Sequence, residues 1–178
     1  ASRYLGGASG LATIPAWTAE SDQASASFGS SVATAGDVNA DGYSDVLVGA
    51  ERYDNGQTDE GRAFLYLGGA SGLATSPAWT AESDQVNAAF GVSVATAGDV
   101  NGDGYSDFMV GAYHYSNGQS SEGRAFFYSG NVDDALSLKP QQRRADDAAL
   151  IDALGLSGQP DAFRLAALGR SPYGRGKV

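Results

Sequence analysis

The sequence predicts an all-β protein built from short four-stranded antiparallel sheets in tandem, and three observations predict it. Residues 1–130 repeat themselves at an offset of 62, each repeat holds four short apolar runs cut by Gly and Asn turns, and no helix-period segment comes before about residue 143. Phe28-Gly29 returns as Phe90-Gly91, Asp37 as Asp99, Asp45 as Asp107, and Gly61-Arg62-Ala63-Phe64 as Gly123-Arg124-Ala125-Phe126. Upstream, Tyr4 to Thr13 returns as Tyr66 to Thr75, and Pro15 to Gln23 as Pro77 to Gln85.

Each element of one repeat has a local reason. Ser31-Val32-Ala33-Thr34-Ala35 reads as a small-residue strand ending at Gly36. Asp45-Val46-Leu47-Val48-Gly49-Ala50 is a continuous apolar run, the form of a strand buried on both faces. Gly61 to Leu67 is aromatic and bounded by Gly, and Ala78-Trp79-Thr80-Ala81 follows Pro77, which is tolerated at the first position of an outer strand. Four short strands joined by such turns predict a four-stranded antiparallel blade. The chain then divides into 1–27, the second half of a first blade; 28–89, a complete blade; 90–130, a third blade lacking its outer strand unless the tail supplies it; and 131–178, a non-repeat tail.

Charge separates body from tail. Of the net −10, residues 1–130 carry 15 acidic and 4 basic side chains, whereas 131–178 carry 6 and 7. An acidic body argues against nucleic acid or an anionic membrane surface, both of which need clustered Lys and Arg, and suits a cation. With no cysteine there is no disulfide framework and no thiolate metal or redox site. No apolar run approaches the roughly 20 residues of a membrane span, and no signal peptide is visible. A first residue of Ala is what a processed chain or a piece of a longer one presents.

The chemistry lies in a doubled loop, Asp37-Val38-Asn39-Ala40-Asp41-Gly42-Tyr43-Ser44-Asp45 and Asp99-Val100-Asn101-Gly102-Asp103-Gly104-Tyr105-Ser106-Asp107. Calcium takes about 6–8 oxygen ligands at about 2.3–2.6 Å. Here Asp, Asn, Asp and Asp stand at positions one, three, five and nine, Gly at position six permits a sharp turn, and Tyr43 and Tyr105 at position seven offer backbone carbonyls. Two calcium sites are expected. An EF-hand opens the same way but needs an acidic residue at position twelve and a following helix. Position twelve is Val48 and Val110, inside the apolar run, so this is a β-hairpin loop.

Phe-Gly, then D-x-N-x-D-G-x-x-D, then an apolar strand ending in Gly-Ala resembles the FG-GAP repeat of integrin α-subunit β-propellers and their bacterial relatives. The resemblance covers about residues 1–130, or about two and a half repeats. It implies four-stranded propeller blades, calcium in the loop between first and second strands, and extracellular or cell-surface placement, secreted or periplasmic. The family's ligand positions map onto Asp37, Asn39, Asp41, Tyr43 and Asp45, and onto Asp99, Asn101, Asp103, Tyr105 and Asp107. The Pro of the Gly-Ala-Pro signature is replaced by Glu51 and Tyr113. Propellers of this family close with more blades than this chain holds, so closure needs a longer propeller, another subunit, or head-to-tail self-assembly through blade edges.

Other residues have ordinary explanations. His114 stands where the preceding repeat has Arg52, in a variable loop, and no Ser or Cys nucleophile has a plausible His partner. Glu60 and Glu122 read as turn-edge carboxylates. Gly68-Gly69-Ala70-Ser71-Gly72 lacks the Gly-Lys-Ser/Thr ending of a phosphate cradle and reads as a hairpin turn. Trp17 and Trp79 with Tyr53 and Tyr115 are expected between blades, with a sugar- or protein-binding surface as the alternative. In the tail, Ala135 to Leu138 could be the missing outer strand, Asp147 to Leu154 a short helix or strand, and Phe163 to Leu168 with the Pro172–Gly176 turn a hairpin without its second half. The expected function is a non-enzymatic calcium-binding β-propeller module for extracellular adhesion or protein–protein assembly. An ancillary propeller segment of a secreted enzyme and a small structural subunit of a surface assembly are the alternatives.

Overall fold

The computed structural model describes residues 1–8 and 10–130 and, of the tail, the backbone of 139–143, 164–168, 170–171 and 174–175. These fall in two compact units, Ala1–Val100 with Tyr105–Val132, and Asn101–Gly104 with Asp133–Val178. In the first unit, β1 (Ser2–Arg3) pairs antiparallel with β4 (Trp17–Thr18), and β2 (Gly6–Gly7) with β3 (Gly10–Leu11). Then come β5 (Phe28–Gly36), β6 (Asp45–Ala50), β7 (Arg62–Tyr66) and β8 (Trp79–Glu82), one antiparallel sheet in chain order. A second sheet repeats its first three strands as β9 (Phe90–Gly98), β10 (Asp107–Ala112) and β11 (Arg124–Tyr128). The described residues hold strands and no helix, and the two larger sheets, of four and three antiparallel strands, are propeller blades.

The repeat offset holds in three dimensions. Subtracting 62 carries β8 onto the β4 region, and adding 62 carries β1 onto the middle of β7, so the first 18 residues hold counterparts of the third and fourth strands. β6 coincides with the apolar run that predicts it and β7 falls one residue short at each end, whereas β5 runs beyond its small-residue run. In β5, Phe28 pairs with Ala50, beyond a register shift ahead of Ser31↔Gly49. Gly29 in that shift has φ 89°, and Gly91 at the same place in β9 has φ 85°, a backbone region that a bulge opens to glycine.

The continuous apolar run of β6 is explained by what covers it. Leu47 faces one side with Ala63 and Leu65 of β7, and meets Phe90, Phe108, Val110 and Ala112 of the next sheet. Val48 and Ala50 face the other side with Phe64 and Tyr66, and meet Trp17. A sheet sandwiched on both faces has no polar alternation to show. Leu47 and Leu65 are completely covered, and burying side chains of this kind contributes roughly 1.5–3 kcal/mol each.

Aromatic rings fill the gaps between sheets. Trp79 stands edge-on to Phe108 (5.1 Å) and Tyr128 (4.7 Å) of the following sheet, and Trp17 edge-on to Tyr66 (5.0 Å), with its Nε1–H donating to the Ala74 carbonyl at 2.8 Å. Both tryptophans are therefore blade-to-blade packing. Tyr53 and Tyr115 instead sit within their own blades, on Phe64 and Phe126, each under an arginine.

One contact brings backbone onto backbone. Gly91 lies across Gly49, where a Cβ on Gly49 would run into the Gly91 carbonyl, and Ser31 Oγ donates to that carbonyl at 2.6 Å. The Phe-Gly of one repeat is thus seated on the Gly-Ala of the repeat before it. In that seat Phe90 is fully buried and its N–H donates to the Glu60 carbonyl at 2.9 Å.

In the second unit, β12 (Lys139–Arg143) pairs antiparallel with β13 (Arg164–Leu168), and β14 (Arg170–Ser171) with β15 (Gly174–Arg175). Arg164–Leu168 therefore has a partner strand, but a non-local and polar one, which no local pattern announces. The expected outer strand at Ala135–Leu138 and the element at Asp147–Leu154 lie outside the described residues.

Replacing Gly49 by Ala is expected to cost about 3 kcal/mol or more, because the methyl group meets backbone that cannot rotate away. Gly6→Ala, with open space around the new Cβ, should stay within about 0.5 kcal/mol of the parent. Urea unfolding of the two variants measures the difference.

Candidate metal centre

The first loop is wound by its own side chains. Asp37 Oδ1 accepts the Asp41 N–H (3.0 Å) and Oδ2 the Gly42 N–H (2.8 Å), while Asn39 Oδ1 also accepts from Asp41 N (3.2 Å). Asp41 Oδ1 accepts the Tyr43 N–H at 2.9 Å and its Oδ2 the Asn39 Nδ2–H at 3.0 Å. These are the local bonds that Asp and Asn make in tight turns. They draw Asp37, Asn39 and Asp41 into one curl. Gly42 has φ 88° with open space around it, so glycine is needed there for its dihedral. Position four is left-handed as well: Ala40 has φ 57° and Gly102 φ 70°. That makes the Ala-to-Gly difference between the copies a conformational one.

Asp45 behaves differently from the other three. It is completely buried at the first residue of β6, its Oδ2 accepting the Val38 N–H and its Oδ1 the Gly68 N–H, both at 2.8 Å. It therefore ties the loop to the exit of β7. Burial pushes its carboxyl above the usual carboxylate range; the two N–H bonds oppose that, and repulsion from Asp41 and Asp37 adds to it. Asp107 repeats the arrangement, also buried, with Val100 N–H on Oδ2 and Gly130 N–H on Oδ1, both at 2.8 Å. Asp99 and Tyr105 flank it in the first unit, Asp99 exposed and Tyr105 buried. In the second unit, Asn101 Oδ1 accepts the Asp103 N–H at 2.8 Å, the counterpart of the Asn39–Asp41 bond.

The first-loop donor set fits a hard divalent cation. It offers only oxygens from three carboxylates, one carboxamide and the Tyr43 carbonyl. Its carboxylates lie near enough to repel one another, as the effect of Asp41 and Asp37 on Asp45 shows. An ion there would be held by Asp37, Asn39, Asp41, Tyr43 and Asp45, and would offset that repulsion. Each oxygen that accepts an N–H keeps a second lone pair for an ion. Neighbouring loops are also joined at their bases, where Ser106 N–H donates to the Asp37 carbonyl (2.8 Å) and Ser106 Oγ accepts the Asp37 N–H (3.2 Å).

The remaining candidates separate cleanly. His114 is exposed, stacks on Tyr113, and donates its backbone N–H to Ala88. Gly68–Gly72 is a turn, closed by Gly72 N–H on the Gly69 carbonyl at 2.9 Å. Glu122 is an exposed carboxylate, but Glu60 is not the ordinary turn-edge group expected of it. It is 0% exposed and lies with Glu82 and Asp84 in a cluster whose ligand oxygens are within 4.8 Å of one another. Burial raises its carboxyl, the Asn55 and Gln57 N–H bonds oppose this, and Glu82 and Asp84 raise it further. The signal in the sequence was the return of Glu20-Ser21-Asp22 as Glu82-Ser83-Asp84, whose nearness to Glu60 only the sheet reveals.

Comparison with known proteins agrees with the geometry. The FG-GAP repeat family profile matches residues 28–66 and 90–128, the first three strands of each of the two sheets. Integrin alpha-PS2 of Drosophila melanogaster is 40% identical over 124 residues, covering 65% of this chain and 8% of that protein. Human integrin alpha-8 is 34% identical over 126 residues (68% of this chain, 11% of that protein), and human integrin alpha-IIb 38% over 87 (48% and 8%). The chain thus spans about a tenth of the length of these curated relatives. No helix among the described residues is long and apolar enough to cross a membrane. With two matched repeats, each seating its Phe-Gly and Asp loop in a β-blade, this chain is an FG-GAP repeat protein.

Proposed function

We propose that this chain is a non-enzymatic, calcium-stabilised β-propeller module that presents a protein-binding surface in extracellular or cell-surface adhesion or assembly. The observation that carries the proposal is the first Asp loop, whose oxygen donors curl together at the junction of two strands. The ligands are Asp37, Asn39, Asp41, Asp45 and the Tyr43 carbonyl, with Asp99, Asn101, Asp103, Asp107 and the Tyr105 carbonyl as the second set. Calcium acts here as a staple between the first and second strands of a blade. Residues 28–89 form the complete blade, 1–27 and 90–130 partial ones, and 131–178 a separate attachment. The matched integrin alpha chains support a role in protein–protein contact.

The partner surface is argued from the repeat itself. Met109 and Phe127, a cross-strand pair 41% and 48% exposed, occupy the positions of Leu47 and Leu65, which the following sheet covers completely. What fits over them is another blade of the same kind, from a longer propeller or from a second copy of the chain. Light scattering in calcium buffer separates the two: a stable oligomer supports self-assembly, and a monomer of normal stability removes it.

For the metal, a chelator should lower the melting temperature and calcium restore it, with affinity of about 10⁻⁴–10⁻³ M, typical of extracellular modules. Asp41→Ala with Asp103→Ala should abolish most of that response in a calcium thermal titration; an unchanged chelator effect would count against these loops. Asp45→Asn should behave otherwise. It leaves a backbone N–H of a buried pair facing an amide, so a loss of about 2–3 kcal/mol is expected in chelator, and a larger loss in calcium because a ligand carboxylate goes as well, read by urea unfolding under both conditions.

A further inference from the structure

We propose that Glu60, Glu82 and Asp84 form a further cation site, for a hard divalent ion such as calcium, at the end of the blade opposite the Asp37–Asp45 loop. The antiparallel order places it there: the loop joins β5 to β6, whereas Glu60 precedes β7, Glu82 ends β8, and Asp84 begins the connection to β9. The ligand oxygens of the three carboxylates lie within 4.8 Å of one another. That is about twice a calcium–oxygen distance, so one ion can touch all three.

A cluster of acids on a surface would carry no such inference, but Glu60 is no surface acid. Its side chain is fully buried, and Oε1 accepts the Asn55 N–H at 2.6 Å and the Gln57 N–H at 3.5 Å. Its Oε2 is buried with no hydrogen-bond donor. Glu82 Oε2 and Gln57 Oε1 are likewise buried acceptors without a hydrogen bond. The one orphaned donor among the described residues, Arg62 Nε, stands against Glu82 Oε2, which leaves Glu60 Oε2 as a buried carboxylate oxygen that calls for a species accepting lone pairs, since a buried charged acceptor left unmet is costly.

The local positive charge falls short. Arg62 Nε lies 3.8 Å from Glu82 Oε2, too long for a hydrogen bond, and its Nη2 donates to Thr80 Oγ1 at 3.0 Å. One guanidinium against three carboxylates leaves a net −2, the charge that a divalent ion neutralises. The ligands come from two segments, the β6–β7 loop and the end of β8 with the residues after it, which are joined by Ser83 Oγ donating to the Glu60 carbonyl at 2.8 Å and Asn55 Nδ2 to Glu82 Oε1 at 2.7 Å. An ion at this point fastens the β6–β7 loop to the blade-to-blade connection. The next repeat lacks the set: Arg144 stands 62 residues after Glu82, and Glu122 is exposed.

The test is calcium stoichiometry by equilibrium dialysis of the full chain, freed of metal by a chelator and titrated with calcium chloride alone. Glu82→Gln with Asp84→Asn, a half-buried and an exposed position, should bind one equivalent fewer than the parent, and Asp41→Ala with Asp103→Ala should keep that equivalent. Unchanged stoichiometry in the first variant, or no bound calcium in the second, overturns the site. If the loop variant binds as much as the parent while the Glu82/Asp84 variant loses one equivalent, the loop reading falls and this one stands. Glu60→Gln, added to the loop variant, gives a second readout: the remaining rise in melting temperature with calcium should vanish. A rise that persists means that the stabilising ion does not need Glu60, and the proposal fails.

Discussion

Everything in the body of this protein depends on the close seating of one blade on the next, where the Gly91 backbone crosses Gly49. A four-stranded sheet with apolar side chains on both faces is not stable by itself in water, because one face or the other stays wet. Leu47, Ala63 and Leu65 are dry only because the following sheet lies against them, and Val48, Phe64 and Tyr66 because Trp17 and its neighbours cover them. The backbone-to-backbone approach brings the sheets close enough for that. A glycine at each side of the contact and the Ser31 hydroxyl on the Gly91 carbonyl hold the distance. The Phe-Gly and Gly-Ala dipeptides are two halves of one joint.

Polar groups do the work at the two ends of the blade. At one end Asp45 and Asp107 are buried where a strand begins, each accepting two backbone N–H groups from different turns. Such groups would otherwise be orphaned by the sharp changes of chain direction. Asp45 stands beside the half-buried Asp37 and the exposed Asp41, so structural anchoring and the proposed cation binding share one residue. At the other end, Glu60 holds the β6–β7 loop through backbone N–H bonds and lies in one cluster with two more carboxylates. A −11 imbalance over residues 1–130 is thus gathered in large part at the two ends of the strands, where hard cations fit.

A repeat whose faces are both apolar cannot end without leaving a face open. Met109 and Phe127 stand where Leu47 and Leu65 are covered, which makes that surface complementary in shape and character to the repeat itself. In a solenoid-like stack each unit relies on its neighbour, and here the reliance is visible in one pair of residues. It links the energetics of packing to the proposed function, because the face that completes the core in one repeat is the face proposed for assembly in the next.

The sequence by itself determined the strand plan and the oxygen-rich turn of the first Asp loop. A strand buried on both faces must be a run of apolar residues, and a hard-ion loop must place oxygens at alternate positions around a glycine. Both rules act within ten residues, so Asp45–Ala50 and Asp37–Asp45 were legible directly. The tertiary structure decided what depends on residues far apart in the chain. Glu60 meets Asp84 only because β7 and β8 are antiparallel neighbours, and Gly49 must be glycine only because Gly91 comes to rest on it. Asp45 shows the same division in one side chain: its place in the loop could be counted along the chain, but its hold on Gly68 comes from the neighbouring strand.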